Sequence, residues 1–155
     1  GATGATGATG SFNANSAFQG PLEVVSVDSS TQLSGTNTAI VSVKTAGVYY
    51  FSNASGPTAT YTINVRGDGS TTLNSLLSVG QAVTVAVIVQ NGSTGGASTY
   101  YATTIQVDGT TQTVKWTNGL APASATLGGI DSYTLTIIKT ASATYTVLGS
   151  LSKFA

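Results

Sequence analysis

The sequence predicts an all-β protein: an antiparallel, jelly-roll-like β-sandwich head, trimeric, preceded by a short collagen-like Gly-x-y segment. Three observations lead there. Apolar residues make up 41% of the chain and charged ones only 6%, against about a quarter in typical soluble domains, so polarity is carried by Thr and Ser instead. Short stretches of Thr, Val, Ile and Tyr, which suit a pleated surface, alternate with Gly, Asn and Ser clusters, which suit turns. The chain opens on three Gly-Ala-Thr triplets, with Gly10 beginning a fourth. Only glycine fits at the crowded axis of a triple helix, so a period of three asks for two further copies of the chain.

Residues 1–10 are thus expected to be the end of a collagen-like stalk, with Gly1, Gly4, Gly7 and Gly10 at its axis; a flexible linker of small residues is the plain alternative. Residues 11–20 form a polar neck carrying Phe12 and Phe18, and residues 21–155 form one head domain. The absence of Met implies a processed product or a piece of something longer. The first two strands are expected at 22–27 and 39–43, separated by the Ser-, Thr- and Gly-rich turn of 28–36. A third, at 48–51, ends in the loop Asn53-Ala54-Ser55-Gly56-Pro57. Strict alternation of Tyr61, Ile63 and Val65 against Thr62 and Asn64 marks a half-buried strand at 60–65 that stops at Arg66-Gly67-Asp68-Gly69. Leu73, Leu76 and Leu77 have helical spacing and precede Gly80, which allows one short helical turn. Residues 81–90 are apolar on both faces, as in a strand that is central or faces another subunit.

A glycine-rich loop follows from Asn91, and then Tyr101, Thr103, Ile105 and Val107 alternate toward Asp108-Gly109, a strong hairpin signal with 111–116 as the returning partner. Residues 118–129, with Pro122 and Gly128-Gly129, form a long loop, and two last strands are expected at 133–139 and 144–148. The total is nine or ten strands in two face-to-face sheets, with a barrel as the competing geometry.

Composition also bounds function. Five basic and five acidic residues are spread singly and sum to zero, which leaves no footprint for nucleic acid. No apolar run is long enough for membrane insertion as a helix. There is no His and no Cys, so the commonest general base, the thiol nucleophiles and most transition-metal ligands are missing, and neither an enzyme nor a cofactor is expected. Arg66-Gly67-Asp68 invites an adhesion-motif interpretation, but flanking glycines make a tight turn the better one. Asn53 and Asn91 begin Asn-x-Ser triplets of the kind expected by chance in a Ser-rich chain. Trp116, Tyr100 and Tyr101 could offer stacking surfaces to a sugar, and with Asn91 and Asn118 they are the candidates for host or glycan contact through the loops 92–99 and 118–129. In Tyr49-Tyr50 and Tyr100-Tyr101 one member of each pair should face outward, preferably onto a neighbouring subunit.

Three features together carry a resemblance: the Gly-x-y lead, the run Arg66-Gly67-Asp68-Gly69-Ser70-Thr71-Thr72-Leu73-Asn74-Ser75-Leu76-Leu77, and the ending from Thr134-Leu135-Thr136-Ile137-Ile138-Lys139-Thr140 to Tyr145-Thr146-Val147-Leu148-Gly149-Ser150. Val114-Lys115-Trp116-Thr117-Asn118-Gly119 adds to it. The chain resembles collagen-like virion structural proteins of tailed phages of marine bacteria, especially cyanophages, over nearly all of its length after the neck. The resemblance implies a homotrimeric fibre, whisker or tip module on an extracellular particle, with other virion proteins and a host-surface glycan or protein as partners. This chain departs from the pattern in carrying only three triplets. Two other functions fit the same architecture: a lectin-like carbohydrate-binding module, and a secreted trimeric signalling-type sandwich.

Overall fold

The computed structural model describes residues 23–94 and 96–155; the expected stalk of 1–10, the neck of 11–20 and the start of the first expected strand lie outside the described residues. The chain folds into β1 (Val25–Asp28), β2 (Ala39–Ser42), β3 (Val48–Phe51), β4 (Tyr61–Arg66), α1 (Leu73–Leu76), β5 (Ala82–Gln90), β6 (Ala102–Val107), β7 (Thr110–Thr111), β8 (Val114–Trp116), β9 (Ile130–Ala141) and β10 (Thr144–Phe154). Single 3-10 turns at Ala97–Thr99 and Thr117–Gly119 complete the described elements.

The fold is all-β, in two mixed sheets. One has six strands in the order β1-β3-β5-β9-β10-β8, the other four in the order β2-β4-β6-β7. The expected antiparallel pairing holds for the hairpins β9–β10 and β6–β7 and is corrected at other pairs: β1 pairs β3 and β3 pairs β5 in parallel, β2 pairs β4 and β4 pairs β6 in parallel, and β8 runs parallel to β10. From β1 to β6 each strand hands the chain to the opposite sheet, so two crossings separate consecutive strands of one sheet and bring the second back in the same direction. A parallel pair always needs a crossover, and here a strand of the facing sheet supplies it in place of a helix. The result is a stack of coils, as in a solenoid, rather than the antiparallel arrangement of a jelly roll.

Beyond β6 the pattern changes. Asp108 (φ 50°) and Gly109 (φ 80°) are both left-handed, the geometry of the hairpin turn that their sequence predicts. The returning strand, however, is only the short β7; β8 leaves for the edge of the six-stranded sheet. β9 and β10 then form a long antiparallel hairpin that continues to Phe154, well past the strand expected at 144–148.

One apolar core lies between the sheets. It takes Val41, Ile63, Val65, Ile105 and Val107 from the four-stranded sheet and Phe51, Val85, Val87, Val89, Leu135, Ile137 and Val147 from the six-stranded one. Tyrosines tie the layers together. The Tyr61 and Tyr133 rings meet edge to face at 6.4 Å, and the Tyr133 hydroxyl accepts the Ala102 N–H at 3.1 Å. The Tyr49 hydroxyl reaches across to Ser42, accepting from its N–H at 3.1 Å and donating to its carbonyl at 3.0 Å. Burying the Tyr49 and Tyr133 rings is favourable because each of their hydroxyls meets a backbone group that would otherwise be unpaired.

At one end of the sandwich α1 closes the gap between sheets. Thr72 caps it through the Ser75 N–H, while the Asp108 carboxylate accepts the N–H groups of Leu73 (2.6 Å) and Asn74 (2.9 Å) from the β6–β7 turn. Lys139, only 8% exposed on β9, donates to the Asn74 and Leu77 carbonyls at the other end of the turn. An anion at the start and a cation at the finish match the direction of the peptide dipoles. One comes from each sheet, so this single helical turn joins the two layers.

Candidate functional site

The residues that the sequence offers for contact are spread over the molecule. Trp116 is half-buried on β8, opposite Gly149 of β10; a Cβ at Gly149 would lie 2.7 Å from the indole Cζ3, so the ring rests on bare backbone. Trp116 lines a groove of about 360 Å³ with Lys115, Thr117, Thr136 and Leu148. Asn118 follows it, exposed and left-handed at φ 58°, on a second groove of about 390 Å³ with Leu120, Pro122 and Lys153. Tyr100 and Tyr101 are both half-buried in the segment before β6, where the Tyr101 carbonyl accepts the Tyr61 N–H. Asn91 is 2% exposed, and neither polar atom of its side chain has a hydrogen-bond partner. The sequence places Asn91 in an open loop; the fold seals it beneath that loop, where its N–H binds the Gly129 carbonyl. The registers Trp116–Gly149–Leu135–Val85 set Trp116 level with Val85, while Asn91 lies beyond the end of β5, so these residues do not converge on one pocket. Tyr49 and Tyr50 behave as their adjacency predicts: Tyr49 is buried in the core, and Tyr50 faces outward with its hydroxyl on Gln90 Oε1 at 3.3 Å.

The Arg-Gly-Asp triplet is consumed by its own turn. The Asp68 carboxylate accepts the Ser70 and Thr71 N–H groups and pairs with Lys44 at 2.5 Å. The Lys44 ammonium first, and the Ser70 N–H after it, hold the carboxyl well below the usual carboxylate range. Arg66, on the outer face of β4, lines a cleft of about 280 Å³ together with Asn64, Asp68, Thr71 and Asp108. Asp28 makes a similar turn with Ser30 and Thr31, and those hydrogen bonds lower it to about 2. Burial raises the Tyr145 hydroxyl, with a smaller contribution from the neighbouring Asp108 carboxylate. Among the described residues no group of three or more carboxylates could hold a metal ion, and no helix is long and apolar enough to cross a membrane.

Sequence reasoning overlooked the contrast between the two outer surfaces. On the six-stranded sheet, strand registers align Val25, Val48 and Ala86 in one row and Val27, Tyr50 and Ile88 in the next. Val25 and Val27 are 46% and 63% exposed. The same rows turn polar on reaching β9 and β10, with Thr134 and Ser150 in the first and Ser132 and Ser152 in the second. The outer surface of the four-stranded sheet carries Thr62, Asn64, Arg66, Thr104 and Gln106 around a lone Ile40. The signal was present in the sequence as Ala86 and Ile88 on the second face of β5, but their partners in the row depend on parallel pairing. No protein-family model, no curated protein and no solved structure matches the chain.

Proposed function

We propose that this chain is a virion structural protein, a trimeric fibre or tip module of a phage particle that caps and registers a collagen-like stalk. The observation that carries this reading is the run of glycine triplets at 1–10, set a short neck ahead of a β domain whose first strand lies at a sheet edge with its valines uncovered. A triple helix this short cannot hold itself together, because fixing three chains in register costs more than a few triplets return. The domain acts as the clasp: three heads associate, hold the three leads parallel, and set their one-residue stagger. The work is mechanical, with no catalytic step, and loops on this rigid scaffold are the part that would meet a host surface. Light scattering on the full chain tests this directly. The expected mass is three times the 15.4 kDa of one chain, with a weaker assembly when residues 1–10 are removed; a monomer at all concentrations refutes it.

The groove beside Trp116 supports a second reading, a carbohydrate-binding module. An indole face edged by Lys115, Thr117 and Thr136 has the apolar platform and polar rim that sugars need. Binding on a glycan array that is lost with Trp116→Ala would favour it.

A further inference from the structure

We propose that the outward face of β1, β3 and β5 is the surface on which copies of this chain meet; the inference deepens the trimeric reading above and rests on it. The two rows Val25–Val48–Ala86 and Val27–Tyr50–Ile88 form one continuous apolar patch across three parallel strands, and none of these outward positions is charged. Contiguous apolar patches with a polar surround mark association surfaces in proteins of this size, whereas isolated exposed side chains do not. The surround is present on the same sheet, as Ser132, Thr134, Ser150 and Ser152, and the opposite sheet is polar throughout apart from Ile40. Elsewhere on this sheet the large exposed apolar side chains, Leu148 and Phe154 of β10, are separated from these rows by β9, and the contiguous rows lie on β1, β3 and β5.

A second copy is the occupant that fits. The patch has no charge to recruit a basic, acidic or nucleic-acid partner, so its complement is another uncharged apolar surface, and the chain carries one. The position of the stalk points the same way. Only fourteen residues lie between Gly10 and Val25, a span of at most about 50 Å when extended, and three such leads have to converge on a triple-helix axis. They enter at β1, the edge strand of this patch. The copies thus approach one another with β1 and its neighbours innermost, and the apolar rows are closed off around the threefold axis. Burial also covers the free edge of β1, which would otherwise invite uncontrolled strand pairing in a chain of zero net charge.

The test uses the full chain. The double variant Val27→Asp with Ile88→Asp places charge in the middle row, and Thr104→Asp places one on the opposite outer face. With a trimeric wild type, the double variant should fall threefold in light-scattering mass while keeping its β-sheet circular dichroism, and Thr104→Asp should remain trimeric. A double variant that stays trimeric overturns the assigned face and leaves the trimer standing; a monomeric wild type removes both. Because the chain has no Cys, a second measurement guards against a variant that fails to fold. Val27→Cys labelled with a thiol-linked photocrosslinker should give covalently joined chains on illumination. Crosslinks confined to residues 1–22 of the same chain, or absent from a trimeric sample, refute the inference.

Discussion

The two halves of this sandwich hold their strands in different ways. β9 and β10 are joined by the tight turn around Ala143 and, after one register shift between Thr144 and Tyr145, pair residue against residue from Lys139–Tyr145 to Ile130–Phe154. A local turn fixes that register, since in an antiparallel hairpin neighbours in space are neighbours in sequence. β1 to β6 have no such help. Each parallel pair forms only after the chain has crossed to the other sheet and returned, so the loop closure is long and the register rests on side chains that bridge the layers. Tyr49 to Ser42, Tyr133 to Ala102, and Asp108 with Lys139 on α1 are those bridges. Two of these ties, Tyr133 and Lys139, stand on β9, so the hairpin whose register is fixed locally also braces the parallel strands whose register is not.

Substitutions should separate the two halves. Asp108→Ala is expected to cost the most, roughly 3 kcal/mol, because two backbone N–H groups lose a charged acceptor and Ala tolerates the left-handed conformation less readily than Asp. Urea unfolding should show the shift in midpoint, and amide exchange should rise in β4, β6 and α1 before it rises in the β9–β10 ladder. Equal acceleration in both halves would mean the contrast is only topological. Tyr133→Phe strands the buried Ala102 N–H and should cost about 2 kcal/mol. Its effect is predicted to exceed that of Tyr145→Phe, whose hydroxyl makes no hydrogen bond in the fold.

In the antiparallel half, Gly149→Ala forces a methyl against the Trp116 ring and should cost about 1.5 kcal/mol. Combining it with Trp116→Ala should recover part of that loss, since the indole is one of the two side chains the methyl meets; additive effects in the double-mutant cycle would assign the clash to the other, Val114. The smallest effect belongs to Asp28, in the turn that follows β1. Its folded value of about 2 lies below the ordinary 3.8, so its contribution is fully present above pH 3.8 and is lost as the pH falls through 2. Exposure to water keeps that contribution small. Unfolding curves of wild type and Asp28→Asn, compared at neutral pH and at pH 2, should differ at the first and converge at the second.

The strands of both halves were largely visible in the sequence. The expected segment 48–51 is β3, 60–65 falls on β4, 81–90 on β5, and the leucines after Thr72 make the one helical turn. The Asp108-Gly109 turn formed because Asp and Gly accept positive φ. Other features were hidden. β8 changed sheets because three residues of alternation say which side is apolar and nothing about the neighbour. β10 ran on to Phe154 because Gly149 and Lys153 interrupt the inward apolar series. The roles of Asp108 and Lys139 at the two ends of α1 join residues far apart in sequence, and a lone carboxylate or ammonium carries no mark of such a partner. The apolar outer patch was half legible, as Ala86 and Ile88, and complete only once β1 and β3 were set beside them.

What the sequence by itself determined is the material of each strand and turn: which residues alternate, and where glycine and asparagine permit reversal. Those are local properties, set by the sterics of one residue and its immediate neighbours. The tertiary structure decided the direction of pairing, the passage of the chain between sheets, and which side chains came to share a surface. Alternation with a period of two is the same for a parallel and an antiparallel strand. The choice between them is made by crossovers and by contacts between distant residues, which exist only when the chain has folded.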